Sequence, residues 1–138
     1  MIQSNELRIG NYVEHISFGI VPIEGIIRDS LKTIYKKNEF WDDFKFHKPI
    51  PLTEEWHNKF GITKNGFGNF VYEISKRQLI LFSGDYVFLR DLERLDGKLS
   101  HLDNMCTLWN KDITKRDMFV NEWQNLYFAL TNKELTHE

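Results

Sequence analysis

The sequence predicts an α+β protein in which antiparallel sheet dominates and one amphipathic helix closes the chain. Three observations predict it. The first half is cut into short β-prone runs by Gly, Pro, Asn and Asp. Residues 70–89 alternate with a period of two between turn signals. Residues 119–130, FVNEWQNLYFAL, carry the longest helical period: Phe119, Val120, Trp123, Leu126, Tyr127 and Leu130 fall at steps of three and four and form one stripe.

Gly10-Asn11 is a turn signal that opens a strand over Tyr12 to Ile16. Ser17-Phe18-Gly19 turns the chain. Ile20 to Ile27 follows as a second strand, interrupted by Pro22 and Gly25. Proline cannot donate to a ladder, so this strand belongs at an edge or carries a bulge. Asp29-Ser30 turns again, and Leu31 to Lys36 is a third strand. Short curved strands opened by a Gly-Asn step resemble the start of a small SH3-like barrel. A loop is expected around Asp42-Asp43, then a short strand over Phe44 to Phe46, then an extended connector set by Pro49 and Pro51.

Thr53 to Gly61 has the punctuation of a short helix. Thr53 is an N-cap residue type, Glu54 and Glu55 lie in the first turn where the helix dipole favours them, and Gly61 suits a left-handed C-terminal stop. Phe70, Tyr72 and Ile74 share one strand face. Leu79 to Phe82 and Tyr86 to Leu89 form a hairpin across Ser83-Gly84-Asp85. Residues 91–103 read as a polar loop, and Met105 to Trp109 as the last strand. The whole chain, 1–138, is expected to be one domain, with a barrel-like β subdomain over 1–52 and a helix–sheet–helix subdomain over 53–138. The closing helix, about Met118 to Leu130, is expected to cover the second sheet, with Leu126→Ala costing about 2–5 kcal/mol.

Composition excludes some classes of function. The apolar fraction is 41% and the charged fraction 28%, ordinary values for a globular chain, and the 11 Phe, 5 Tyr and 4 Trp favour strands. A net charge of −2 argues mildly against a general nucleic-acid binder. The single cysteine, Cys106, cannot form an internal disulfide and belongs to no metal-type pair, which fits a reducing, cytoplasmic compartment. No apolar run is long enough for a signal peptide or a membrane helix, so no membrane association is expected.

Three blocks carry a resemblance: Glu6 to Val13 (ELRIGNYV), Pro49 to Trp56 (PIPLTEEW) with Phe60-Gly61, and Gln124 to Thr131 (QNLYFALT). They resemble a set of small uncharacterised proteins encoded by Bacteroidetes genomes, their prophages and crAss-like phages. That family often has His where this chain has Asn121 and Leu where it has Trp123, so no catalytic residue is expected at that helix position. The resemblance implies a phage or mobile-element accessory protein made in a bacterial cytoplasm, without an assigned activity.

No catalytic constellation is legible, and no enzyme or cofactor is expected. Glu54 and Glu55 are adjacent on a helix and point about 100° apart, so they are not a facing carboxylate pair. Five histidines are scattered at 15, 47, 57, 101 and 137. Only His101 and Asp103 pair ligand types closely, whereas a zinc site needs three or four convergent ligands, so no metal site is expected. Cys106 sits in an apolar strand and reads as a buried, inert thiol. Gly66-Phe67-Gly68 lacks the rest of any phosphate-cradling motif and reads as a turn.

The stretch 28–48 carries the most information. Basic residues Arg28, Lys32, Lys36, Lys37, Lys45 and Lys48 alternate with Tyr35, Phe40, Trp41, Phe44 and Phe46, diluted by four acids. Aromatic anchors with a polar rim suit a protein interface, and Tyr35, Lys36, Lys37, Trp41, Phe44 and Lys45 are the candidate binding residues. The expected function is non-enzymatic protein–protein interaction. The alternative is a nucleic-acid-binding module using the stretch 32–48, in particular Lys32, Lys36, Lys37, Trp41 and Lys45. The competing structural role is that the aromatics fill the core. Gln124 and Asn125 are expected to hydrogen-bond an edge strand or a neighbouring loop.

Overall fold

The computed structural model describes residues 7–91, 94–95, 98–99 and 104–136. In chain order its elements are β1 (Tyr12–His15), β2 (Gly19–Pro22), β3 (Gly25–Ile27), β4 (Ser30–Tyr35), β5 (Asn38–Asp43), a 3-10 turn (Phe44–Phe46) and β6 (His47–Lys48). There follow α1 (Glu54–Lys59), β7 (Phe70–Glu73), β8 (Gln78–Ser83), β9 (Tyr86–Asp91), β10 (Arg94–Leu95), β11 (Lys98–Leu99), β12 (Asn104–Asn110), α2 (Lys111–Thr114) and α3 (Val120–Thr131). Among the described residues all strand pairings are antiparallel, and the fold is of mixed α+β type. No helix among the described residues is long and apolar enough to cross a membrane.

The chain forms two compact units. One joins the described residues up to Leu52 with Met118–Thr136; the other lies within Thr53–Asp117. In the first unit the strands make two three-stranded sheets, ordered β2-β1-β6 and β3-β4-β5, rather than a closed barrel. β2, which ends in Pro22, is an edge strand, as the missing proline N–H requires. Leu7, Val13, Val21, Ile23, Leu31 and Phe44 form the core.

The closing helix is the main correction in this unit. α3 belongs with the N-terminal strands and not with the second sheet that it was expected to cover. Its polar residues explain the placement. Gln124 Oε1 accepts the Tyr12 N–H at 2.9 Å, while Gln124 Nε2 donates to the carbonyls of Gly10 at 3.1 Å and Leu135 at 3.0 Å. Asn11 Nδ2 and Arg8 Nε both donate to Asn125 Oδ1, at 2.8 and 3.0 Å. Arg8 also clamps Glu134 bidentately and lies 4.1 Å above the Phe128 ring. Of the two partners expected for Gln124 and Asn125, the neighbouring loop is found, at Gly10, Asn11 and Leu135, whereas Tyr12 begins the central strand of its sheet and not an edge strand.

The buried face of α3 is therefore Val120, Asn121, Trp123 and Gln124, with Leu126 half-buried and Leu130 exposed. Apolar periodicity alone set the stripe about one position off, because it could not count buried amides. At the N-terminus of α3, Glu122 Oε1 accepts the Phe119 N–H at 2.8 Å, where the helix dipole favours a carboxylate. The chain leaves the unit at Leu52 and returns at Met118: Leu52 N–H donates to Met118 O at 2.9 Å, and Val120 N–H to Ile50 O at 2.8 Å.

Two local expectations also change. Phe44–Phe46 is a 3-10 turn and not a strand, because the Asp43 carboxylate accepts the Lys45 N–H at 3.0 Å and caps it. Asp42 and Asp43 end β5 and are not a loop, since the β4 register runs through to Ser30 opposite Asp43.

The second unit holds a four-stranded sheet ordered β12-β9-β8-β7 and the short helix α1. Phe70, Tyr72, Ile80 and Val87 are buried on the sheet, and Trp56 and His57 on the helix. Gly61 ends α1 at φ +87°, the left-handed stop expected there. Part of the predicted 91–103 loop forms the β10–β11 hairpin, because Arg94 pairs with Leu99 and Leu95 with Lys98. Cys106 is exposed, correcting the expectation of a buried thiol. It lies on the seven-residue strand β12, at the edge of its sheet.

Candidate interaction face and a histidine–aspartate cluster

The β4–β5 register decides which residues of the basic and aromatic stretch can meet a partner. Cross-strand partners share a face. Leu31 lies opposite Asp42, Thr33 opposite Phe40 and Tyr35 opposite Asn38, and the buried Leu31 and Thr33 mark this as the inward face. Lys32 lies opposite Trp41 and Ile34 opposite Glu39, and β3 adds Gly25 and Ile27 to the same outward side.

The candidate binding residues thus divide. Trp41 is outward and 46% exposed, flanked by Ile27 at 59% and Ile34 at 41%. Phe44 is a core residue, not a binding one, because the capped 3-10 turn points its ring inward. Tyr35 is half-buried, stacked on Phe18 at 4.5 Å between ring centroids. Lys36, Lys37 and Lys45 are exposed. Lys32 is half-buried and paired with Glu39 at 3.0 Å.

Two backbone features shape this face. Gly25 makes room for the indole: a Cβ there would lie 3.2 Å from both Trp41 Cη2 and Lys32 Cβ. Lys36 and Lys37 form the two-residue loop between Tyr35 and Asn38, with φ of 50° and 68°. Such a loop favours Asn-Gly, and each left-handed non-glycine residue costs about 1 kcal/mol. Two lysines are therefore displayed at a hairpin tip where local energetics would choose neither.

On the inward side, three potential metal-ligating or acid–base groups converge. His15 and His47 are direct register partners on β1 and β6, with rings edge to face at 4.9 Å. Asp42 reaches them from β5: its Oδ2 lies 2.8 Å from His15 Nε2. One ligand atom from each of the three lies within 4.8 Å of the others. Phe18 stacks on His15 at 4.2 Å and touches Phe40 at 4.7 Å, giving the cluster an apolar wall.

The hydrogen bonds fix the tautomers. His15 Nδ1 accepts the N–H groups of Ser17 at 3.0 Å and Phe18 at 3.3 Å, so its ring proton sits on Nε2 and is donated to Asp42. His47 Nδ1–H donates to Asp43 O at 3.1 Å, which leaves the buried Nε2 as a lone pair that no described residue partners. Burial lowers the His47 pKa, and the neighbouring His15 lowers it further, against the Asp43 carbonyl and the Asp42 and Asp43 charges that raise it. Sequence spacing could not find this trio, since 27 residues separate His15 from Asp42 and only strand pairing joins them.

His57, in the second unit, is a core histidine. Its ring stacks on Phe70 at 4.1 Å, meets Phe82 at 4.6 Å, and its Nδ1 lies 2.7 Å from the Tyr72 hydroxyl. Burial pushes its pKa down to about 4, so the ring is neutral at pH 7. His101 and Asp103 lie outside the described residues. No family model, curated protein or solved structure matches the chain.

Proposed function

We propose that this chain is a non-enzymatic accessory protein of a phage or mobile element that works by protein–protein contact in the bacterial cytoplasm. The contact surface is the outward face of β3-β4-β5. The observation that carries the reading is the exposure of Trp41 between Ile27 and Ile34 on one sheet face. Aromatic anchors in an apolar patch with a charged rim dominate the energetics of protein interfaces. Exposed Lys36 and Lys37 stand at the tip of the β4–β5 hairpin, and exposed Lys45 lies in the turn that follows β5. The first unit is read as an SH3-like arrangement, on the ground that a 3-10 turn precedes β6, which returns to pair with β1.

The test is a paired capture from host or infected lysate with the wild-type chain and a Trp41→Ala/Ile27→Ser variant. Both side chains are exposed, so the variant should keep its circular dichroism and thermal midpoint. A protein captured by wild type and lost with the variant supports the reading. No wild-type partner, or equal capture by both chains, removes it.

The Lys36-Lys37 tip favours a second reading, nucleic-acid binding by Lys36, Lys37, Lys45 and Trp41. Phosphate contacts strengthen as salt falls. An oligonucleotide titration that shows no binding at low salt eliminates this alternative.

A further inference from the structure

We propose that His15, Asp42 and His47 form a binding site for one divalent transition metal of the zinc, cobalt or nickel class, and that its occupancy is coupled to the turn between β1 and β2. Two imidazoles and one carboxylate are a donor set these metals accept, and three protein ligands leave a fourth position open. The three residues come from β1, β5 and β6 of the same unit, which fixes their backbones relative to one another.

Two features of His47 suit a ligand. Its Nε2 is buried and has no hydrogen-bond partner among the described residues. Its Nδ1–H is held by the Asp43 carbonyl, the arrangement by which proteins orient a metal-bound imidazole. The Asp42 side chain is 29% exposed and provides a path from solvent. Tetrahedral donors at zinc distances stand about 3.4 Å apart. The present ligand atoms lie within 4.8 Å of one another, so closing on an ion takes shifts on the order of 1 Å.

His15 sets the coupling. Its Nε2 proton now lies between the ring and Asp42, and a metal must take that place. The proton then moves to Nδ1, so the ring keeps one proton and stays neutral. A protonated Nδ1 cannot accept the N–H groups of Ser17 and Phe18, which must turn away. Ser17 is exposed and Phe18 is half-buried between two exposed neighbours, Ser17 and Gly19, so the turn can offer those groups to water. In the metal-free protein the turn is pinned to His15; in the loaded protein it is released.

The experiment titrates the full chain, stripped with chelator, with Zn2+ and Co2+ near neutral pH. Amide spectra, Co2+ visible absorption and the thermal midpoint are recorded. One equivalent should bind, shift the Ser17 and Phe18 amides and the His15 and His47 ring nitrogens, and raise the midpoint. His47→Gln and Asp42→Asn should each weaken binding by roughly tenfold or more. Wild-type amide shifts decide the matter even where a variant folds poorly. Absence of binding at millimolar metal overturns the proposal. Binding that leaves Ser17, Phe18 and both rings unmoved also overturns it, because the ion would then sit elsewhere.

Discussion

Replacing Gln124 with Leu should destabilise the first unit more than any apolar truncation on the exposed half of α3. Gln124 is fully buried, and three backbone groups depend on its amide: Tyr12 N–H, Gly10 C=O and Leu135 C=O. A buried group left without its partner costs about 1–3 kcal/mol, so the gross loss is about 3–9 kcal/mol. Gly10 is only half-buried, and water can reach its carbonyl, which places the expectation near about 3 kcal/mol. Leu126→Ala, on the half-buried side of the helix, should cost less than the about 2–5 kcal/mol of a fully buried leucine. Urea titrations of wild type, Gln124→Leu and Leu126→Ala, read by midpoint and slope, give the order directly. A Gln124→Leu protein within about 1 kcal/mol of wild type would refute the reasoning. So would a Leu126→Ala protein that is the less stable of the two.

Acidification should weaken the second unit through His57. Its folded pKa of about 4 lies below the unfolded value of 6.5. The stability it protects is therefore full above pH 6.5 and lost as pH falls toward 4, by up to about 3 kcal/mol. Urea midpoints near pH 7 and pH 4.5 measure the loss, and His57→Phe should remove most of it; an unchanged pH dependence in that variant would contradict the assignment. Cys106 is exposed, so an aromatic disulfide reagent should label the native protein stoichiometrically, and labelling only after denaturation would disprove the exposure. Gly25→Ala should displace the Trp41 ring, since its new Cβ would stand 3.2 Å from Cη2, and the tryptophan emission should change while the fold persists. An unchanged spectrum would show that the indole does not rest on Gly25.

Much of the fold was legible in the sequence because local signals were strong. Pro22 marked an edge strand, Gly61 a left-handed helix stop, and the alternation of Phe70 and Tyr72 a buried face. What was not legible depended on pairing across long separations. Nothing near Phe119–Leu130 says that Gln124 and Asn125 answer Asn11 and Tyr12, more than 110 residues away. Periodicity therefore gave the helix but docked it on the wrong unit. Residues near the two ends of the chain hold each other: Arg8, Asn11 and Tyr12 interlock with Gln124, Asn125 and Phe128, and Ile50 and Leu52 meet Met118 and Val120. The candidate site was half legible. Composition marked the stretch that holds Trp41, but only the β4 register separates outward Trp41 from inward Asp42 and core Phe44.

The most direct test of the interaction face is photo-crosslinking from a benzoyl-phenylalanine placed at Trp41, with the same group at exposed Ile113 in the second unit as the comparison. Irradiation in host lysate should join one protein to position 41 and leave position 113 without it. Equal adducts at both positions, or none at 41, would contradict the account.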